Sequence, residues 1–261
     1  MRQLPAFITT VHDPERRLLA MIEGSGAALA AYRAVYAFVT EPTHPQIIEA
    51  LLAAGVSVDV GPAGASGVGQ RRVLAIAVAA EHEDIFYCDF DRWLHWAGSY
   101  PQELSGLADR IEEHHADAWY ICLGRSDRAL ATHPIAQSLP EHITNRALST
   151  VAGTRLDATA GAAWIRSAGT RLILAGSTAT TKATDLEWPG LVIRAERERV
   201  QGAFLEGLEF ETADAYPAEI ARLGSVDAWM QDTYDRPQVF RDRLQLAADS
   251  IAALMDVTGE S

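Results

Sequence analysis

The chain is poor in cysteine, with Cys88 and Cys122 as its two in 261 residues. No Cys-x-x-Cys pair is present, which excludes zinc ribbons and thioredoxin-like redox chemistry. Both cysteines lie in apolar runs and read as buried, reduced thiols. Long hydrophobic runs are missing too. The longest charge-free apolar run, 73–80, is far shorter than a membrane span. The apolar stretch 6–11 is too short for a signal peptide and runs into His12, Asp13 and Glu15. A soluble, cytoplasmic protein with no integral membrane segment is expected. Basic charge is in deficit: 22 Lys and Arg stand against 35 Asp and Glu, for a net charge of −13. A general nucleic-acid binder needs a basic face to displace counterions, so no nucleic-acid partner is expected. The chain also lacks a Walker A string and a Gly-x-Ser-x-Gly elbow. The glycines of 61–69 do not form a dinucleotide fingerprint, because arginine stands at position 72 where the third glycine would fall.

What is present is an ordinary folding composition, 48% hydrophobic and 22% charged, in a chain long enough to bury a sizeable core. Short runs rich in β-formers at 6–11, 34–40, 56–60 and 84–88 alternate with helical segments. The first helix is expected to open at Asp13-Pro14-Glu15, which supplies an N-cap, a first-turn proline and an acid. The next open at Pro45 and near Gln70. A β-α-β-α-β-α-β order implies an α/β fold: a mostly parallel central sheet with helices on both faces. Farther on, the pattern predicts helices at 101–113 and 141–152 and a fifth strand at 118–123. Strands are predicted at 171–175 and 191–193, a polar loop at 177–184, and an amphipathic helix at 237–255.

The sharpest local feature is Asp89-Phe-Asp91 after the fourth strand. Two carboxylates two residues apart on a strand project to one side, and ligands of open α/β sheets sit at the carboxyl ends of strands. Hard oxygen ligands there suit Mg²⁺ or Mn²⁺. Such a cation would stabilise charge on a departing phosphate.

The stretch from Gly67-Val-Gly69-Gln-Arg71-Arg72 through a helix to Asp84-Ile-Phe-Tyr-Cys-Asp89-Phe-Asp91 resembles the GT-A-fold nucleotide-diphospho-sugar glycosyltransferases. The likeness is to the family-two type that includes polyprenyl-phosphate sugar synthases. Asp157-Ala-Thr-Ala-Gly161 is similar to the family's Asp-x-x-Ser-Gly segment, and Phe210-Glu211 to its later Phe-Glu segment. Val73 and Arg92 stand where the family often has Asn and a third acid. The resemblance covers roughly residues 5–215.

It implies a nucleotide-sugar donor bound across the first four strands, and a metal-dependent transfer to an acceptor that the sequence does not name. The chain would comprise one α/β domain over 1–235 and a C-terminal helix in 236–261. Residues 1–100 would form the nucleotide-binding half and 101–235 the acceptor half. Asp89 would face ribose and metal, and Asp91 would hold metal and diphosphate, with His133 as a further metal ligand. Arg71 or Arg72 would grip nucleotide or phosphate. Thr9, Thr10 and Val11 after the first strand and Glu41 after the second would edge the base and ribose. Asp157 or Glu211 would serve as the acceptor-side base. Trp93, His95 and Trp96 offer either an aromatic wall for a sugar or core packing, and Lys182 either a diphosphate contact or a solvated lysine. The alternatives are a non-catalytic nucleotide- or sugar-binding protein of the same fold, or a nucleotidyltransferase. The latter usually carries a lysine- and glycine-rich loop after the first strand, and Thr9-Thr-Val-His-Asp13-Pro14 has no lysine. Oligomeric state is not readable from the sequence.

Overall fold

The first strand shows why a sheet forms here. β1 (Leu4–Val11) is buried at every position but Thr10, as expected of a strand covered on both faces. The protein, described over residues 4–259 of a computed structural model, continues through α1 (Leu19–Gly24), α2 (Gly26–Leu29), β2 (Tyr32–Thr40), α3 (Pro45–Ala53) and β3 (Ser57–Gly61). Next come α4 (Val68–Val78), β4 (Asp84–Cys88), α5 (Phe90–Ser99), α6 (Pro101–Ser105), α7 (Leu107–His114), β5 (Tyr120–Arg125), α8 (Asp127–Ala131) and α9 (Ile135–Ala152). The chain ends with β6 (Ala162–Arg166), α10 (Ser167–Gly176), α11 (Thr184–Glu196), β7 (Val200–Leu205), α12 (Pro217–Leu223), α13 (Val226–Tyr234) and α14 (Pro237–Thr258).

The strands form one sheet in the order β3-β2-β1-β4-β6-β5-β7. All neighbours run parallel except β6, which is antiparallel to both β4 and β5. Consecutive residues of a strand face opposite layers. Phe7 and Phe86 therefore meet Trp93 and Trp96 on one side, while Ile8, Ile85 and Tyr87 meet Trp188 on the other. The mostly parallel α/β sheet read from the sequence is the one observed. The two cysteines are free and buried.

Several elements differ from expectation, each for a local reason. The first helix starts at Leu19, not at Asp13. The Asp13 carboxylate instead accepts from the amides of Arg17 (2.9 Å) and Leu18 (2.8 Å), which closes a turn. The helix expected over 101–113 is split at Gly106 into α6 and α7. The strands predicted at 171–175 and 191–193 are helical, in α10 and α11. α11 is buried without a break from Leu186 to Ile193, so its apolar run carries no amphipathic period and mimics a buried strand. The strands of that region, β6 and β7, were not anticipated. β6 is a five-residue run opening Ala-Ala, a residue depleted in strands.

α14 packs on α11 and α9. A methyl group at Gly190 of α11 would come within 2.7 Å of Val257 Cγ2 and 3.0 Å of Leu254 Cδ1. The glycine is what lets the two helices approach so closely. This arrangement brings α14 over the carboxyl end of the sheet, where the acidic pair lies. Among the described residues no helix is long and apolar enough to cross a membrane.

Candidate functional site

β4 ends at Cys88, and α5 begins at Phe90. Asp89 is therefore the residue before the helix, and Asp91 lies in the first turn. The alternation of a strand is not what pairs them, contrary to expectation: the strand-to-helix junction does so. Acids in a first helical turn complement the helix dipole. Thr9 Oγ1 donates to the Cys88 carbonyl at 2.7 Å and ties the end of β1 to this junction.

Asp89 is held from four directions. Arg72, 1% exposed, donates to it at 3.1 Å and also pairs with Asp185. The Tyr87 hydroxyl donates to the same carboxylate. The Asp89 amide donates to the Gly161 carbonyl at 2.9 Å. Lys182 Nζ lies 4.0 Å away and is the only lysine in the chain. Burial works against the charged form of Asp89, but Arg72, Lys182 and Tyr87 overcome it and hold the carboxyl well below the usual range. Asp91 differs. One of its oxygens accepts from the Arg92 amide at 2.9 Å. Burial, together with the neighbouring Asp89, raises its pKa.

Lys182 is carried by a strap, residues 177–183, between α10 and α11. Glu187, 1% exposed, anchors it by accepting from the amides of Thr178 (2.6 Å) and Ala179 (2.8 Å) and from the Ser177 hydroxyl (2.6 Å). The strap then crosses Gly69.

The acidic pair separates two cavities. On one side is a cleft of about 360 Å³ lined by Thr10, Val11, His12, Ala65 and Arg71. On the other is a smaller space of about 120 Å³ under α14, lined by Arg92, Glu141, Glu211, Arg243 and Ser250. Asp89, Asp91 and Lys182 line both. A larger hollow of about 700 Å³ lies elsewhere, along α9 and α8, and does not include the pair.

The remaining sequence-derived residues fall in distinct places. Thr10, Val11 and Arg71 line the first cleft. Arg71 also donates to the Pro62 carbonyl and so braces the glycine loop. Glu41 is exposed and lines neither cavity. Glu211 lines the second, where its Oε1 accepts from Arg92 Nη2 at 2.9 Å. Asp157 accepts from the Arg125 amide, Nε and Nη2 at 2.8 Å each and from Asn145 at 2.6 Å. His133 is buried against Phe210, and its Nδ1 meets the Ala129 carbonyl at 3.1 Å. Burial first, then Arg92 and Arg125, push its pKa down to about 2. Among the described residues, no group of three or more His, Cys, Asp and Glu side chains is gathered as if for a metal. The aromatic-wall option for Trp93 and Trp96 is overturned, because both are fully buried. Trp93 stacks on Phe90 and donates to Tyr32, and Trp96 donates to Glu103.

No protein-family model matches the chain, and no curated protein matches it. Solved structures do. Glucosyl-3-phosphoglycerate synthase from M. tuberculosis superposes with a TM-score of 0.60 at 12% identity, covering 98% of this chain and 81% of that one. The same enzyme with Mn²⁺, UDP-glucose and phosphoglyceric acid superposes at 0.56 with 13% identity, covering 98% and 80%. The fold is GT-A. In this GT-A sheet the acidic pair sits at the carboxyl end of β4, where open α/β sheets present ligands.

Four residues that shape the site were missed in the sequence. Tyr87 was read as strand core only. Asp185 and Glu187 fell in a region without a clear period. Gly161 was noted for its segment alone, yet a Cβ there would meet Asp89 Oδ2 at 2.8 Å. The polar run before Asp185 was the available signal, since an acid in a first helical turn marks a helix start.

Proposed function

We propose that the protein is a nucleotide-diphospho-sugar glycosyltransferase. The observation that carries this reading is the placement of Asp89 and Asp91 at the carboxyl end of β4, on the border of two cavities. A two-substrate transfer needs two adjoining sites with the reacting bond between them. The larger of these two cavities suits the nucleotide, with Thr10, Val11 and Arg71 lining it and Thr9 bracing the junction from within. The smaller space suits the acceptor.

The donor set fits a divalent cation. Asp91 keeps an oxygen free of the Arg92 amide, and burial first, then the charge of Asp89, raises its pKa. Mg²⁺ and Mn²⁺ sites commonly use one or two carboxylates and complete themselves with phosphate and water. Asp91, assisted by Asp89, would hold the cation. When bound, it would supply positive charge for the leaving diphosphate. Arg72 orients Asp89, and Lys182 offers a second cation to the diphosphate from the strap. Glu211 is the acceptor-side base in this reading. Burial raises its pKa against the pull of Arg92, with Asp91 adding to the rise. Asp157 is committed to Arg125, and we assign it the holding of that arginine.

The finer assignment to the family-two type rests on the Arg72, Asp89 and Asp91 pattern. Mn²⁺ and a UDP-sugar donor are supported by the ligands of the M. tuberculosis enzyme of the same fold.

One observation favours the non-catalytic alternative: the Asp89 carboxylate is held by Arg72, Tyr87 and Lys182, all side chains of the protein itself. Melting curves with UDP, GDP, ADP and CDP, each with Mn²⁺ and with chelator, test the first reading. A ligand that binds only the folded state raises the melting temperature by mass action. A metal-dependent rise with one nucleotide is expected. No rise with any of them leaves the acidic pair as a structural junction and sinks the transferase reading.

A further inference from the structure

Arg72 and Lys182, the two cations that face Asp89, are both set by one turn of helix. Asp185 and Glu187 lie together in the first turn of α11. Residues two apart on a helix do not face the same way. Asp185 accordingly reaches Arg72 in the site, whereas Glu187 reaches back to the strap. Glu187 is 1% exposed, and a buried carboxylate is costly unless it is hydrogen-bonded. Among the described residues its hydrogen-bond partners all lie in 177–179. It accepts from Ser177 Oγ (2.6 Å), from the Thr178 amide (2.6 Å) and hydroxyl (3.2 Å), and from the Ala179 amide (2.8 Å). Trp188 Nε1 donates to Ser177 Oγ at 3.1 Å, which leaves the Ser177 hydrogen for Glu187.

The rest of the strap is fixed as well. The Thr180 carbonyl accepts from the Gly69 amide at 2.8 Å, and the Lys182 carbonyl from the Asp185 amide at 2.9 Å. What this backbone presents is an ammonium that is only loosely held. Lys182 Nζ is 4.0 Å from Asp89 and its side chain is 48% exposed, and that distance is longer than a hydrogen bond. It lines both cavities. The nearby arginines are committed. Arg72 is 1% exposed and engages Asp89, Asp185 and Thr184. Arg71 is 5% exposed and braces the glycine loop through the Pro62 carbonyl. A fixed backbone lowers the ordering cost of bringing a flexible lysine to a diphosphate.

We propose that Glu187 is a positioning residue for the nucleotide donor: by clamping the strap it fixes Lys182 where the ammonium meets the diphosphate. This rests on the transferase reading given above. Glu187 lines neither of the two cavities at the acidic pair, so it acts through Lys182. The clamp bears on the diphosphate and not on the nucleoside, and this separates it from a side chain that merely holds the fold together.

A double-mutant cycle tests the proposal, read by calorimetric titration of the full chain in saturating Mn²⁺. The probe is whichever of UDP, GDP, ADP and CDP gives the largest melting shift, compared with its own nucleoside. Lys182→Met should weaken diphosphate binding about tenfold, the scale of one hydrogen bond to a charged group, and leave nucleoside binding unchanged. Glu187→Gln keeps the shape but turns amide hydrogens on the donors of the strap, and should act in the same way. In the Lys182→Met background it should cost nothing further, because residues that act through one another are not additive. Should Glu187→Gln not fold, Ser177→Ala removes one of the bonds to Glu187 and should shift diphosphate affinity in the same direction, again only where Lys182 is present. Equal weakening of nucleoside and diphosphate, or a loss that adds to that of Lys182→Met, overturns the proposal and leaves the transferase reading standing. So does unchanged diphosphate affinity in Lys182→Met. A parent chain that binds none of the four diphosphates overturns the transferase reading and this proposal with it.

Discussion

The amide of Gly69 donates to the carbonyl of Thr180 at 2.8 Å, so the first turn of α4 carries the strap that delivers Lys182. A Cβ at position 69 would stand 2.2 Å from the Ala179 carbonyl oxygen and 2.9 Å from that of Thr181. These are backbone atoms and cannot rotate away. Gly69→Ala should therefore displace the strap and destabilise the fold by about 1–3 kcal/mol, the usual range for overpacking. It should also weaken nucleotide binding. Urea denaturation with calorimetric titration checks both, and a variant with unchanged affinity would detach the strap from the donor site.

Arg125 and Asp157 form a buried pair of another kind. Arg125 is 1% exposed and also meets Glu141. Removing one partner of a buried pair leaves an uncompensated charge and costs about 3–5 kcal/mol. Arg125→Ala should lose that much in denaturant titration. Asp157→Asn retains the hydrogen-bonding shape and should keep kcat within a few-fold once folded. A loss of kcat on the ~10²–10⁴ scale of general base catalysis would make Asp157 the base instead of Glu211.

Asp91→Asn should separate stability from function. Asp91 has its pKa raised by burial and by Asp89, so its charged form is disfavoured in the folded state without a cation. The sign is that of an acid with a raised folded pKa: it costs stability above that pKa, and neutralising it returns the loss. The variant should melt higher than the parent in chelator near neutral pH. Its metal-assisted nucleotide affinity should fall by at least ~10-fold, since even partners behind a metal ligand matter on that scale. A variant that melts lower in chelator would show the carboxylate to be structural.

His95 ties α5 to the segment that carries Glu211. Its Nδ1 meets Asp214 at 2.6 Å, its Nε2 meets Glu209 at 3.2 Å, and its ring lies beside Tyr100. Burial alone would lower its pKa, but the two carboxylates raise it above the ordinary value. A histidine with a raised folded pKa contributes stability fully below its unfolded value of about 6.5. That contribution is lost as pH rises through the folded value. The melting temperature should fall across this window, and His95→Gln should flatten the fall. Equal slopes in both proteins would place the pH dependence elsewhere.

Much of this architecture is legible in one dimension. β1 to β5, the glycine loop and the helix after it each show in local composition. So does the position of Asp89 and Asp91 after a buried apolar strand. These features are legible because burial on both faces and turn chemistry act over a few residues. α10 and α11 were misread for the same reason in reverse. A helix buried all round and a buried strand bury the same residue types, and only the packing of neighbours tells them apart.

The sequence by itself determined that an α/β sheet forms, that its cysteines are buried, and that two carboxylates stand at the end of β4. Only the tertiary structure decided what those carboxylates touch. Arg72 reaches Asp185 across 113 positions, and Arg92 reaches Glu211 across 119. Antiparallel β6 enters beside β4 and brings Gly161 against Asp89. Trp93 and Trp96 turn into the core away from the cleft. Local propensity acts over a turn of helix or a pair of strand residues. The partner of a buried charge is chosen by which distant segment the packing brings within hydrogen-bond reach.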